Sequence, residues 1–381
     1  MLNQLKKYLW NPIINSAHPR FCVNLLDWSQ REKWPTEKIH EPSTHHLPIP
    51  NGCEVDEKIM AAYAGQQHIE FPAQYLVCIP NAFALGGFAR LPSGEFLTES
   101  DWRVRDFLAS DISRSRFRRH KLHLDGDCYY LDVLFSGNYG HWLSDELPRL
   151  ANALSHMPSA TRFIVSDPIQ QYKSESLAVL GVTGDRLVPV KGYYEVRCER
   201  LWYVTPANDM VWNPIVLNKI KDASLRIYGN GGEPALERIF VSRNNIRWKR
   251  LANEDELLPL IEGYGFSIIR PEQMSFAQQV KTFSKAKVVF GAYGAGLTNL
   301  LFCQPARFLE LQDSLFAPRP WYWKWASMLG HEYWSMTGPV TESKGYIDTN
   351  FSIHPDSLKQ CLENILSPKD FKSKNQWWVS K

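Results

Sequence analysis

From Arg238 to Met336 the chain alternates short runs rich in β-branched and aromatic residues with longer runs that carry helix punctuation. Few architectures accept that pattern. RIFVSR, FSIIRP, KVVFGAY, RFLELQ and EYWSM read as strands. NEDELLPLIEGYG, SFAQQVKTFSKA, AGLTNLLF and PWYWKWASMLG read as the helices between them. Two of these helices open with capping-box spacing, Asn253 with Glu256 and Ser275 with Gln278. Strands alternating with helices of this length form βαβ units and therefore a parallel sheet, whose ligand crevice lies at the carboxyl ends of the strands.

The first half is less regular. KLHLDGDCYYLDVLF reads as two strands joined by a tight turn at Asp125-Gly126, and GNYGHWLSDELPRL follows as a helix that Pro148 should end or kink. RFIVSD, RLVPV and YYEVRCERLWYV add strands, whereas HEPSTHHLPIPNG reads as an irregular connector. A length of 381 residues suits two domains. The expected division is 1–205 and 206–349, and it leaves open that 350–381, with the helix PDSLKQCLENIL, packs back on the first domain.

Composition narrows the function classes. Hydrophobic residues at 44% and charged residues at 22% indicate a globular chain. A net charge of +3 is too small to indicate nucleic acid as the partner. One local run, RSRFRRHK from Arg114 to Lys121, is either a solvated face or a patch for phosphate or lipid headgroups. Seven cysteines without a C-x-x-C pair point to free thiols in a reducing compartment, not to zinc or a disulfide scaffold. The chain contains no apolar stretch of membrane-spanning length and no convincing signal peptide. The expected location is cytoplasmic, with the basic run as a route to peripheral contact with the inner membrane.

Four constellations carry chemistry. In VVFGAYGAGLTN a strand runs through Gly291, Gly294 and Gly296 into a helix start, a cradle of backbone N–H groups suited to phosphate, to which Thr298 adds a hydroxyl. Its G-x-x-G-x-G spacing is neither the dinucleotide fingerprint nor a P-loop. Glu310 closes the next strand, where an acid accepts ribose hydroxyls in doubly wound sheets. Arg243, Lys249 and Arg250 flank the same crevice as counter-charges for a diphosphate. In the opening half, His141 and Asp145 stand four apart on a helix, so both project from one face as a proton-accepting pair. Asp125 and Asp127 match a D-x-D metal pattern but read as a turn.

Taken together, NYGHWLSDELPRL, FVSRNNIRWKRLANEDEL, GFSIIRPEQMSFAQQVKTFSKAKVVFGAYGAGLTNLLF and FLEL resemble glycosyltransferase family 61 in order and spacing, over about Gly137 to Gln312. The resemblance implies a GT-B-like α/β fold with two Rossmann-like domains facing a central cleft. It also implies inverting, metal-independent transfer from a nucleotide sugar to an oligosaccharide or lipid-linked glycan, as in capsule or other surface polysaccharide synthesis, with no cofactor. His141 and Asp145 match the family's acidic helix motif, with Asp145 the first choice as base and His141 the second. Arg243, Arg250 and Asn253-Glu254 match its Ser-Arg block. Gly291, Gly294, Ala295, Gly296 and Thr298 match its glycine block. Tyr293 stands where relatives commonly carry His, and it keeps a donor and a stacking face without a positive charge. Asn138 and Trp142 are the acceptor-side candidates. Two rival readings are a non-catalytic glycan- or carrier-binding module on the same fold and a nicotinamide-dependent dehydrogenase; the latter calls for the fingerprint spacing that is missing.

Overall fold

The computed structural model describes residues 21–22, 24–97, 120–132, 137–191, 194–206, 211–229, 236–244, 250–345 and 349–367. The chain divides into two compact units, residues 1–42 with 72–209, and residues 43–71 with 210–381.

The second unit is built on a six-stranded sheet in which every pairing is parallel. Its strands are β1 (Asn51–Cys53), β2 (Arg238–Val241), β3 (Ser267–Ile269), β4 (Val288–Ala292), β5 (Arg307–Asp313) and β6 (Glu332–Gly338), in the order β3-β2-β4-β5-β6-β1. Leaving β1 aside, the order is the doubly wound 2-1-3-4-5, and the strand order reverses between β2 and β4. Helices cover both faces. α2 (Glu254–Gly263) and α5 (Pro355–Leu366) bury Leu257, Ile261, Leu358, Leu362 and Ile365 against Phe240, Phe290, Leu309 and Leu311. α1 (Pro214–Tyr228), α3 (Phe276–Phe283) and a 3-10 helix (Ala295–Phe302) pack together on the other face, where Phe276 meets Tyr228 and Phe302 edge-on. The stretch AGLTNLLF is thus a 3-10 helix and not the α-helix expected. The capping box of α3 forms, with Gln278 N–H donating to Ser275 Oγ at 3.2 Å and Ser275 N–H donating to Gln278 Oε1 at 2.8 Å.

Three expectations about this unit are corrected. α5, left open as a segment of the first domain, has its apolar stripe, Leu358, Cys361, Leu362 and Ile365, in the core of the second unit. Residues 43–71 also belong here, because β1 extends the sheet edge at β6. The cysteines are not all free thiols. Cys78, Cys128, Cys198 and Cys303 are free and buried, but Cys53 and Cys361 form a disulfide across 308 residues of chain, a separation that hides the pair from any local spacing rule.

The first unit holds a ten-stranded mixed sheet. Its parallel part runs Leu187–Val190, Arg162–Ser166, His120–Tyr130, Tyr194–Val204, which is the order 3-2-1-4 along the chain. Helical segments 139–153 and Gln171–Val179 make the first two crossovers. Gln74–Pro80 and Phe83–Leu85 add antiparallel to Tyr194–Val204. The hairpin expected at Asp125-Gly126 is absent: His120–Tyr130 is one strand, bulged between Leu124 and Asp127. Gly126, at φ 77°, supplies the left-handed residue that such a bulge needs. Asp127 takes Nε and Nη2 of Arg200 at 2.9 and 3.1 Å and the indole N–H of Trp202 at 2.8 Å. No helix among the described residues is long and apolar enough to cross a membrane. The basic run is outside the described residues from Arg114 to Arg119; His120 and Lys121 are exposed.

Candidate functional site

The reversal point of the second unit collects positive charge. Arg243 leaves the end of β2, and Arg250 leads into α2. Arg319 follows β5, between two prolines ahead of α4 (Trp321–Met328). All three are buried, at 8, 8 and 1% exposure. Tyr293, just past β4, lies among them. The Arg250 guanidinium sits over its ring at 5.2 Å, and that of Arg319 at 4.8 Å. Asp313 binds Arg319 Nη1 at 2.6 Å. Burial lowers the Arg243 pKa. Burial, and then the charges of Arg319 and Arg243, push Arg250 down to about 10. Both remain protonated at neutral pH, in a region where a further anion is favoured. The neutral ring of Tyr293 suits this crowd, because a protonated histidine there would add another positive charge.

The glycines serve close approach. An alanine Cβ at Gly294 would lie 1.8 Å from Arg243 Nη1 and 2.5 Å from its Cζ, so the arginine lies directly on the turn. At Gly296 the Cβ would meet Val241 Cγ1 at 2.9 Å, and at Gly291 the Val241 carbonyl at 2.8 Å. These two glycines let the turn and β4 pack on β2. The Tyr322 hydroxyl donates to the Gly294 carbonyl at 2.7 Å and fixes the turn from the other side. Glu254 orders the end of β2: its carboxylate accepts from the Ser242 hydroxyl and, at 3.2 Å, from Arg243 N–H.

Several expected ligands are otherwise occupied. Glu310 is fully buried, accepts from the Tyr333 hydroxyl at 2.5 Å and is pushed up to about 8 by burial. A carboxyl group enclosed in this way is not placed to take ribose hydroxyls; its side of β5 faces Tyr333 and not the strand end. Thr298 is buried and donates to the Ala295 carbonyl at 2.7 Å. Asn253 is the N-cap residue of α2, but its side chain makes no capping bond to a helix N–H. Its amide takes the Ile353 N–H at 3.1 Å and donates to the Ile353 carbonyl at 2.9 Å, like one residue of a strand. Ala295 is half-buried beside the turn, and Lys249 lies outside the described residues.

In the first unit, the His141 segment begins at Asn138, whose side chain accepts from Gly140 N–H at 2.8 Å and His141 N–H at 3.4 Å. Asn138 is therefore a helix cap, not a free acceptor contact. Pro148 does not end the helix, which continues to Ala153; instead Trp142–Glu146 widens into a π turn. A proline has no N–H to donate, and its ring crowds the carbonyl four residues back, so the wider turn accommodates it. His141 Nδ1 meets Asp145 Oδ2 at 2.9 Å, with both side chains about one-fifth exposed. With Nδ1–H donated to the carboxylate, Nε2 is left as the lone-pair nitrogen. Trp142 turns the other way. It is fully buried and donates its indole N–H to Ser176 Oγ at 2.8 Å, so it packs the helix and cannot stack on an acceptor. Glu146 also points into the core, 3.4 Å from Arg149 Nη2; burial pushes its carboxyl up to about 8 against the pull of that guanidinium.

Arg319 and Tyr322 escaped the sequence reading. The signal was present: FAPRPWYWKW places an arginine between prolines directly after a strand end. The family model for glycosyltransferase 61 matches residues 139–308, which includes both the His141 helix and the Gly294 turn. No curated protein matches the chain.

Proposed function

The chain belongs to glycosyltransferase family 61, and from that premise we propose an inverting, metal-independent transfer of a sugar from a nucleotide-sugar donor to a glycan hydroxyl, on a GT-B arrangement of the two units. The observation that carries the donor half is the gathering of Arg243, Arg250 and Arg319 around Tyr293 and Gly294 at the reversal point of the sheet. Doubly wound sheets bind their ligands at such points. In this reading the guanidiniums hold the diphosphate and supply the positive charge that a divalent cation would otherwise contribute.

The acceptor half rests on the His141–Asp145 pair. In this reading the order of preference drawn from the sequence is reversed: Asp145 holds Nδ1–H and orients the ring, and His141 Nε2 takes the proton. The acceptor oxygen forms a bond to the anomeric carbon as the bond from that carbon to the phosphate oxygen breaks. The electron pair leaves on the nucleoside diphosphate, and the acceptor's proton goes to Nε2.

Thermal shift with UDP, GDP, CMP and NAD tests the donor reading. A nucleoside diphosphate at about 100 times its Kd should stabilise the fold by about 2.7 kcal/mol. Stabilisation by NAD, with none from UDP or GDP, refutes the reading. A donor screen by released nucleotide then identifies the sugar. A role in surface polysaccharide synthesis follows from the same reading. The expected cytoplasmic, membrane-peripheral location stands against the Cys53–Cys361 disulfide, and non-reducing electrophoresis of thiol-blocked cell extracts decides between them.

A further inference from the structure

The first unit contains a cavity of about 450 Å³, a volume typical of small-molecule sites. Residues that follow the ends of three parallel strands line it: Asp132 after His120–Tyr130, Asp167 after Arg162–Ser166 and Lys191 after Leu187–Val190. Lys173, on the helix Gln171–Val179, reaches in from one wall and donates to Asp132 Oδ1 at 2.6 Å. Gly137 belongs to the lining, but His141 and Asp145 do not.

We propose that this cavity binds a neutral, hydroxyl-rich sugar ring of the acceptor glycan, one ring removed from the sugar that reacts. The lining acids and bases balance, two carboxylates against two ammonium groups, so an ionic ligand gains no net field there. A polyol uses both signs, because its hydroxyls donate to Asp132 and Asp167 and accept from Lys173 and Lys191. Tyr130 and Tyr194 add aromatic lining, the kind of surface against which a sugar ring packs.

The wall of the cavity and the His141 helix form one packed block. The Tyr172 hydroxyl donates to the Gly137 carbonyl at 3.2 Å, the Tyr139 and Tyr172 rings meet edge-on, and Lys173 Nζ lies over the Trp142 ring at 4.9 Å. A ring seated in the cavity is thereby held at a set offset from His141. Since His141 is outside the lining, the seated ring is not the one whose hydroxyl loses its proton. The acceptor therefore has at least two rings. The inference rests on His141–Asp145 as the acceptor-activating pair.

The test uses the full-length protein on an array of immobilised neutral, uronic-acid-bearing and sulfated oligosaccharides. Wild type should retain neutral oligosaccharides of two or more rings. Asp167→Ala and Gln170→Ala change exposed lining residues and leave the fold's core untouched. Each should weaken that retention about tenfold, the effect of one hydrogen bond to a charged or polar partner. The proposal is overturned if wild type retains no neutral glycan, prefers the anionic ones, or is matched by both cavity variants. Nucleotide stabilisation without glycan retention removes this proposal alone. Glycan retention lost in the cavity variants, without nucleotide stabilisation, removes the donor reading and leaves the cavity assignment in place.

Discussion

Gly294→Ala tests the anion site most directly. Gly294 has φ 167° and ψ 166°, an extended conformation open to alanine, so the backbone does not demand glycine. Arg243 does. The added Cβ would lie 1.8, 2.5 and 3.0 Å from its Nη1, Cζ and Nε. The obstructing atoms are the far end of a flexible side chain. The fold can therefore accept the methyl group by moving the guanidinium, and little stability is lost. Binding should suffer instead. Displacing one guanidinium from a phosphate removes a charge-assisted contact of about 1.5–3 kcal/mol, roughly 10- to 150-fold in Kd. The assay is titration calorimetry with the nucleoside diphosphate that most stabilises the wild type, on Gly294→Ala, Arg243→Ala and the double variant. Because both substitutions remove the same contact, the double variant should bind about as weakly as Arg243→Ala alone. Wild-type affinity in Gly294→Ala, or losses that add in the double variant, would show that Arg243 does not act through this turn.

Three further outcomes are expected. Asp145→Asn should lower turnover by about 10²–10⁴-fold while nucleotide affinity stays near wild type, and unchanged turnover removes the pair from the mechanism. Trp142→Ala deletes a fully buried indole and its bond to Ser176, so urea unfolding should show a loss of about 3–5 kcal/mol; a loss below about 1 kcal/mol contradicts the packing described. Glu310 has its folded pKa raised to about 8 from an ordinary 4.5, so the folded state keeps a proton that the unfolded chain releases. Its contribution is full below pH 4.5 and is lost as pH rises through 8. Glu310→Gln should flatten stability over that window at little cost near pH 6, and an unchanged slope would mean that the carboxyl is ionised in the fold.

The alternation of strands and helices, the Ser275–Gln278 box, the glycine turn and the His141–Asp145 spacing were all legible in the sequence, because each depends on residues within a turn or two of one another. The asparagine at 253 shows where that stops: it is the N-cap residue that local spacing expects, but its side chain bonds the backbone of Ile353, a hundred residues away, and no helix N–H. The same limit hid Arg319, which joins Arg243 and Arg250 only through the order of β2, β4 and β5. It hid the Cys53–Cys361 bond, which needs β1 at the sheet edge beside α5. It misjudged Trp142 and Glu310, whose types and positions suited a ligand but whose side of the helix or strand faces the core. Hydrophobic period and capping chemistry act between near neighbours and so are written along the chain. Which strand lies beside which, and hence which side chains lose their water, is settled only when distant segments pack.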